Sequence, residues 1–400
     1  MAPRNLEELL ADWPEDVAAV EYYLGAEQGW GFLIRAGDVR AFPLVNTDGT
    51  NVATRKLVGD VRRFLSTIEG QSQKMLRRFQ ARGFDHTWQD ELFGLRNILL
   101  PDDVLAELRQ TKRVVLVPQH ILHYLPFAAL VTSRDTAPRG KKEMVQPKFV
   151  LDEPFAVTCA PSLTIWDLIR RRDDIPIDQV RVIGLSSAPG SPPLAGVEED
   201  LQNVRRIYGD KLIQVLEGTE AHESNVKQML SEPGMLMFAT HGNNLAKSPM
   251  DSYLIILKDE PSAVEAEGTS GLQVMEMNDG RLTAREIFAR RVHARLVVLS
   301  ACYSGLGDQS PMPGDDLFGL QRAFLHAGAR SVLSGLWDVF DGTAPELVAG
   351  FHEGIHRGTA PCIALAESQR NFLNKQRAVG ASNPFVHPYF WSVFCLAGAD

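Results

Sequence analysis

The sequence predicts an α/β protein with a largely parallel sheet flanked by helices. Two observations carry this. Between residues 180 and 396, short apolar runs (180–185, 212–216, 235–240, 253–257, 296–300, 331–336, 391–396) alternate with segments of helical periodicity (196–208, 223–231, 283–289, 317–327, 344–354, 361–374). The runs at 235–240 and 296–300 are continuously apolar rather than alternating, which suits strands covered on both faces.

The first half reads less regularly. A helical pattern at 6–10 precedes short strands at 18–23, 30–35 and 39–44, with a glycine-containing turn between the first two. Helical spacing returns at 57–68 and 88–99, a buried strand at 113–117 stops at Pro118, and a serine-capped helix spans 162–172. Residues 136–148, with two prolines and several charges, read as a loop. The connector Asp173-Asp-Ile-Pro-Ile-Asp178 divides the chain into expected units 1–175 and 176–400.

Composition is that of an ordinary globular chain: 44% hydrophobic, 23% charged, without an apolar run long enough to span a membrane. The N-terminal residues lack the apolar core of a secretory signal, so a cytoplasmic location is expected, with no membrane partner. A net charge of −9 argues against nucleic acid as a partner. The basic clusters Arg139-Gly-Lys141-Lys142 and Arg170-Arg171-Arg172 read as a solvated loop and a helix C-terminus. Four cysteines, Cys159, Cys302, Cys362 and Cys395, form no CxxC pair and sit at no metal-ligand spacing, so neither a metal nor another cofactor is expected.

Two strings stand out, Met235-Leu-Met-Phe-Ala-Thr-His241-Gly242 and Ala294-Arg-Leu-Val-Val-Leu-Ser-Ala-Cys302-Tyr-Ser-Gly305. Each is an apolar run ending at a reactive side chain followed by glycine, and reactive groups gather at the carboxyl ends of parallel strands. His241 and Cys302, 61 residues apart, supply what a cysteine hydrolase needs: a thiolate nucleophile and a base that later protonates the leaving amine. Gly242 lets the backbone turn so that its N–H, with that of Cys302, can hold an oxyanion. The other three cysteines read as small buried hydrophobes. His123, just past the 113–117 strand, reads as a hydrogen-bonded structural residue near the site. Two long stretches, 259–281 and 303–316, flank the mouth of the site.

These strings, with Gly314-Asp-Asp-Leu-Phe-Gly-Leu-Gln-Arg-Ala-Phe-Leu-His-Ala-Gly-Ala-Arg-Ser-Val-Leu-Ser-Gly-Leu-Trp337 and His387-Pro-Tyr-Phe-Trp391, resemble CHAT domains, caspase-like and separase-like cysteine proteases of clan CD. The stretches Val20-Glu-Tyr-Tyr-Leu, Gly31-Phe-Leu-Ile and Leu125-Pro-Phe-Ala-Ala-Leu130 extend the likeness over about residues 15–398. The resemblance implies a caspase-like sheet in two lobes, degenerate first and catalytic second. It makes His241 the base, Cys302 the nucleophile, and Gly242 with the Cys302 amide the oxyanion hole. Such a chain would cleave protein substrates inside cells, under an activating protein or ligand, in bacterial defence or cell death. At the place where caspases carry a pocket arginine, this chain has Asp338 after Trp337, which would favour Arg or Lys in the substrate. Asp315 and Asp316 are rival acids on the 303–316 loop, and a solvent-facing role is open for all three. Two other readings of the chain are a non-catalytic caspase-like interaction module and a small-molecule amidase or acyl transferase.

Overall fold

The computed structural model describes residues 2–68, 87–134, 146–188, 193–194, 196–245, 248–259, 278–300, 319–337, 339–340, 342–380 and 383–399. The strands are β1 (Val17–Leu24), β2 (Gly29–Arg35), β3 (Asp38–Pro43), β4 (Arg113–Val117), β5 (Val131–Ser133), β6 (Lys148–Phe149), β7 (Ala156–Cys159) and β8 (Val180–Gly184). They continue as β9 (Leu212–Glu217), β10 (Met235–Ala239), β11 (Gly242–Asn243), β12 (Tyr253–Ile255), β13 (Arg281–Thr283), β14 (Leu296–Leu299), β15 (Ser331–Gly335) and β16 (Phe394–Gly398).

Eleven of these form one sheet, in the order β3-β2-β1-β4-β7-β16-β15-β14-β10-β8-β9. Within it β9-β8-β10-β14-β15 are mutually parallel. Chain order reverses between β8 and β10, the kind of switch point where open parallel sheets place their ligands. β16 runs antiparallel to β15 and parallel to β7, which is parallel to β4 and β1. The parallel strands of the first half therefore point opposite to those of the second.

Successive residues on each strand enter two cores, one on each face of the sheet. Met235, Met237, Leu296 and Val298 join one; Leu236, Phe238, Val297 and Leu299 join the other. This is why the runs read as continuously apolar. The helices are α1 (Leu6–Ala11), α2 (Thr54–Ile68), α3 (Thr87–Leu99), α4 (Asp102–Leu108), α5 (Leu163–Arg170), α6 (Gly196–Tyr208), α7 (Glu223–Met229), α8 (Ala284–Phe288), α9 (Gly319–Ala327), α10 (Ala344–His356) and α11 (Pro361–Val379). On the first face lie α2, α3, α4, α6, α10 and α11, and on the second α1, α5, α7, α8 and α9.

The cap read from sequence forms: Ser162 accepts the Ile165 N–H at the start of α5. A second cap, a reciprocal capping box of Thr283 with Glu286, starts α8.

Three expectations are corrected. The 253–257 run is β12 of a separate three-stranded antiparallel sheet with β11 and β13, not a member of the main sheet. The 391–396 run is strand only from Phe394, because Pro388 starts a short 3-10 turn and Trp391 is buried behind it. Helix α4 was not anticipated. Its seven residues are too few to show a full apolar period. Arg170–Arg172 fall at the C-terminus of α5 as expected, with Arg170 as its last residue and Arg171 as its cap. Arg170 and Arg171 pair with the buried Asp167, and Arg172 donates to the Leu325 and Ala329 carbonyls. The cluster Arg139-Gly-Lys141-Lys142 lies outside the described residues.

Candidate active site

β10 delivers Thr240, His241 and Gly242 beyond its last pair. Thr240 is fully buried, and its hydroxyl donates to the Ile255 carbonyl at 2.5 Å. The Ile255 N–H returns a bond to the His241 carbonyl at 2.8 Å. Gly242 then pairs with Leu254 in β12, and the Leu185 N–H holds the Ala239 carbonyl. The small sheet thus fixes the backbone on both sides of His241, whose side chain is half-buried. Beside it the Asn243 amide donates to the Tyr253 hydroxyl, and the Arg281 guanidinium lies 5.0 Å from the Tyr253 ring centre.

β14 is the parallel neighbour of β10, with Phe238 opposite Leu299. His241 and Cys302 each come three residues after that pair. Ser300, the last described residue on this side, donates from Oγ to Asp200 Oδ2 at 2.6 Å. Cys302, the 303–316 loop with Asp315 and Asp316, and Asp338 lie outside the described residues. The chain resumes at Gly319, where α9 sits so close to the Pro249 carbonyl that a Cβ would come within 1.8 Å of it. Only glycine allows that approach.

The remaining cysteines have no nucleophilic setting. Burial pushes the Cys395 thiol up to about 11 and the Cys159 thiol higher still, and Cys362 is buried. All three line a small apolar cavity beside the β7–β16 seam, whose walls include neither His241 nor Ser300. Trp337 is buried, and its indole N–H donates to the Tyr389 carbonyl at 3.2 Å.

His123 is also placed differently from expectation. β4 runs opposite to β10, so its carboxyl end lies at the other edge of the sheet. His123 is buried there with neither ring nitrogen hydrogen-bonded, and burial lowers its pKa to about 4.

Three residues escaped the sequence reading: Thr240, Ser300 and Asp200. Asp200 had a legible signal, because it occupies the apolar stripe of α6 with Val197, Leu201 and Val204.

A buried ion cluster ties α7 to α8 and to the segment just before β13. The Lys227 ammonium lies 2.8 Å from both Glu223 and Glu286, and 2.9 Å from Asn278 Oδ1. Glu223, whose side chain is wholly buried, also accepts the Gly280 N–H, and burial holds its carboxyl above the usual range. Lys227→Ala leaves both carboxylates without their counter-charge and is expected to cost about 3–5 kcal/mol. Urea unfolding followed by circular dichroism would read this as a lower midpoint at unchanged slope.

Among the described residues no cluster of three or more metal-ligating side chains occurs, and no helix is long and apolar enough to cross a membrane.

With this geometry in view, the relatives can be placed. The CHAT domain family profile matches residues 89–399, leaving α1, β1–β3 and α2 before it. Tetratricopeptide repeat protein 28 of Homo sapiens is 25% identical over 318 residues, and that of Mus musculus 27% identical over 320; each alignment takes in 72% of this chain. The chain spans only 12% of the length of those relatives. Among solved structures, the Saccharomyces cerevisiae separase–securin complex superposes with a TM-score of 0.59 at 10% identity, covering 98% of this chain and 30% of that one. A second structure of the same complex gives a TM-score of 0.52 at 11% identity, covering 98% and 31%. The fold is caspase-like, as in separase, and the chain belongs to the CHAT domain family.

Proposed function

We propose that the chain is a cysteine endopeptidase in which His241 and Cys302 form the catalytic dyad. The observation that carries the reading is the β10–β14 register, with Phe238 opposite Leu299 and the two reactive residues equally far beyond that pair. The caspase-like fold and the raised pKa values of Cys159 and Cys395 support it.

The chemistry follows in two halves. Cys302 gives its thiol proton to the His241 imidazole, and the thiolate adds to the scissile carbonyl carbon. The carbonyl electron pair moves onto oxygen, where the N–H groups of Gly242 and Cys302 stabilise it. As the pair returns, the C–N bond breaks and His241 passes its proton to the departing amine. Water, deprotonated by His241, then attacks the thioester, releasing the carboxylic acid and restoring the thiol.

Substrate selection belongs to the same proposal. Asp338, directly after β15 and Trp337, supplies a negative charge that favours Arg or Lys before the cut, with Asp315 and Asp316 as rivals. Cleavage is set off by a partner or ligand, in a defence or cell-death programme inside the cell.

The test is a survey of new protein N-termini in cells expressing the wild type or Cys302→Ala. The wild type is expected to create a small set of N-termini preceded by Arg or Lys, absent with Cys302→Ala. Identical sets from both proteins would overturn the reading. A set from the wild type alone without that residue preference would overturn the role of Asp338.

A further inference from the structure

The geometry points to Asp200 as a positioning residue that fixes, through Ser300, the chain entering the nucleophile position. This rests on the reading of Cys302 as nucleophile.

Asp200 is an acid on the buried face of α6, only 6% exposed, with its carboxylate on the Ser300 hydroxyl. Taking a carboxylate out of water into the apolar stripe of a helix carries a desolvation cost. The arrangement is explained by where the bond lies. Ser300 is the first residue after β14 and two residues before Cys302, where the ladder to β10 no longer holds the backbone.

The acceptor itself is immobile. Val197, Leu201 and Val204 seat α6 in the core, and Leu201 packs so closely on β8 that a Cβ at Gly184 would come within 2.7 Å of its Cδ1. The Leu194 N–H bonds the Ser186 carbonyl just before the helix, and Arg205 and Arg206 pair with Glu217 and Glu353 towards its far end. A rigid helix thus offers a charged acceptor to the last residue before the reactive segment. A charge-assisted bond of this kind is short and directional. Misplacement of a reacting group by about 1 Å can cost about 10²-fold in rate.

The test follows alkylation of the full chain by iodoacetamide across pH, and labelling by a peptidyl acyloxymethyl ketone with arginine at the reactive end. Both are read at Cys302 by mass spectrometry. Ser300→Ala and Asp200→Asn are expected to slow ketone labelling at least tenfold. Both are expected to raise the midpoint of the alkylation profile towards the value of about 8.5 for a free thiol. Ser300→Thr, which keeps the donor, should restore most of the rate, and Glu199→Gln, exposed on the same helix, should leave it unchanged. The double variant should be no slower than either single one, because the same charge-assisted bond is lost in all three. Asp200→Asn keeps the shape of the side chain, so the inference stays testable if Ser300→Ala misfolds. Wild-type rates and midpoints in both single variants would overturn the positioning role, as would losses that multiply in the double variant. If Cys302 of the wild type reacts no faster than the other cysteines, the protease reading itself fails and the inference with it.

Discussion

Cys302→Ala is expected to abolish cleavage of any substrate of this chain, and His241→Ala to slow it by about 10²–10⁴-fold, the usual contribution of a positioned acid–base. The two losses should not multiply. Without the base the thiol is mostly protonated, and without the thiol the base has no proton to take. Neither substitution should disturb the fold, because the described structure around His241 is held by its backbone. The Thr240 hydroxyl, the Ile255 N–H and the Gly242–Leu254 pair all bond main-chain groups or one another's neighbours. The check is a kinetic comparison on a peptide spanning a mapped cleavage site, with thermal melts alongside. A His241→Ala variant within threefold of the wild type would show that another group serves as base.

Acidification from pH 7 to 5 is expected to destabilise the protein steeply. His123, His352 and His387 are buried, and burial depresses their pKa values from 6.5 to about 4, 3 and 3. Folded, they stay neutral; unfolded, they take up protons near pH 6.5. The unfolded state therefore binds more protons throughout the window from pH 6.5 down to about 4. The stabilising contribution is complete above 6.5 and is lost as pH falls through that window. Each histidine contributes about 1.4 kcal/mol per pH unit, so the three amount to about 6 kcal/mol by pH 5. A typical domain has about 5–15 kcal/mol in total. Urea midpoints measured between pH 7.5 and 5 test this. His352→Leu should remove roughly a third of the slope, although it also takes away the acceptor that its Nδ1 gives the Tyr208 hydroxyl at 2.9 Å. A stability curve flat between pH 7 and 5 would contradict the neutral burial of these rings.

Much of the fold was legible because continuous apolar runs report strands covered on both faces. The runs 180–185, 235–240 and 296–300 fall on β8, β10 and β14. The cap at Ser162 was legible for a similar reason: it acts through a local bond that the sequence spells out. Direction was not legible. The apolar run at β16 looks the same whether it pairs parallel or antiparallel, so the reversal that carries His123 away from His241 could not be seen. Membership of a sheet was hidden as well, since β12 has the composition of a core strand but pairs with β11 and β13. At the site, the residues with distinctive chemistry were visible and their supports were not. Ser300 is an unremarked serine until Asp200 is brought to it by the packing of α6.

The dyad is tested most directly by finding where a peptidyl acyloxymethyl ketone attaches to the purified chain, by mass spectrometry of the wild type and of His241→Ala. The expected result is one adduct, on Cys302, formed in the wild type and nearly lost without His241. An adduct on Cys159, Cys362 or Cys395, or equal labelling of Cys302 in both proteins, would contradict it.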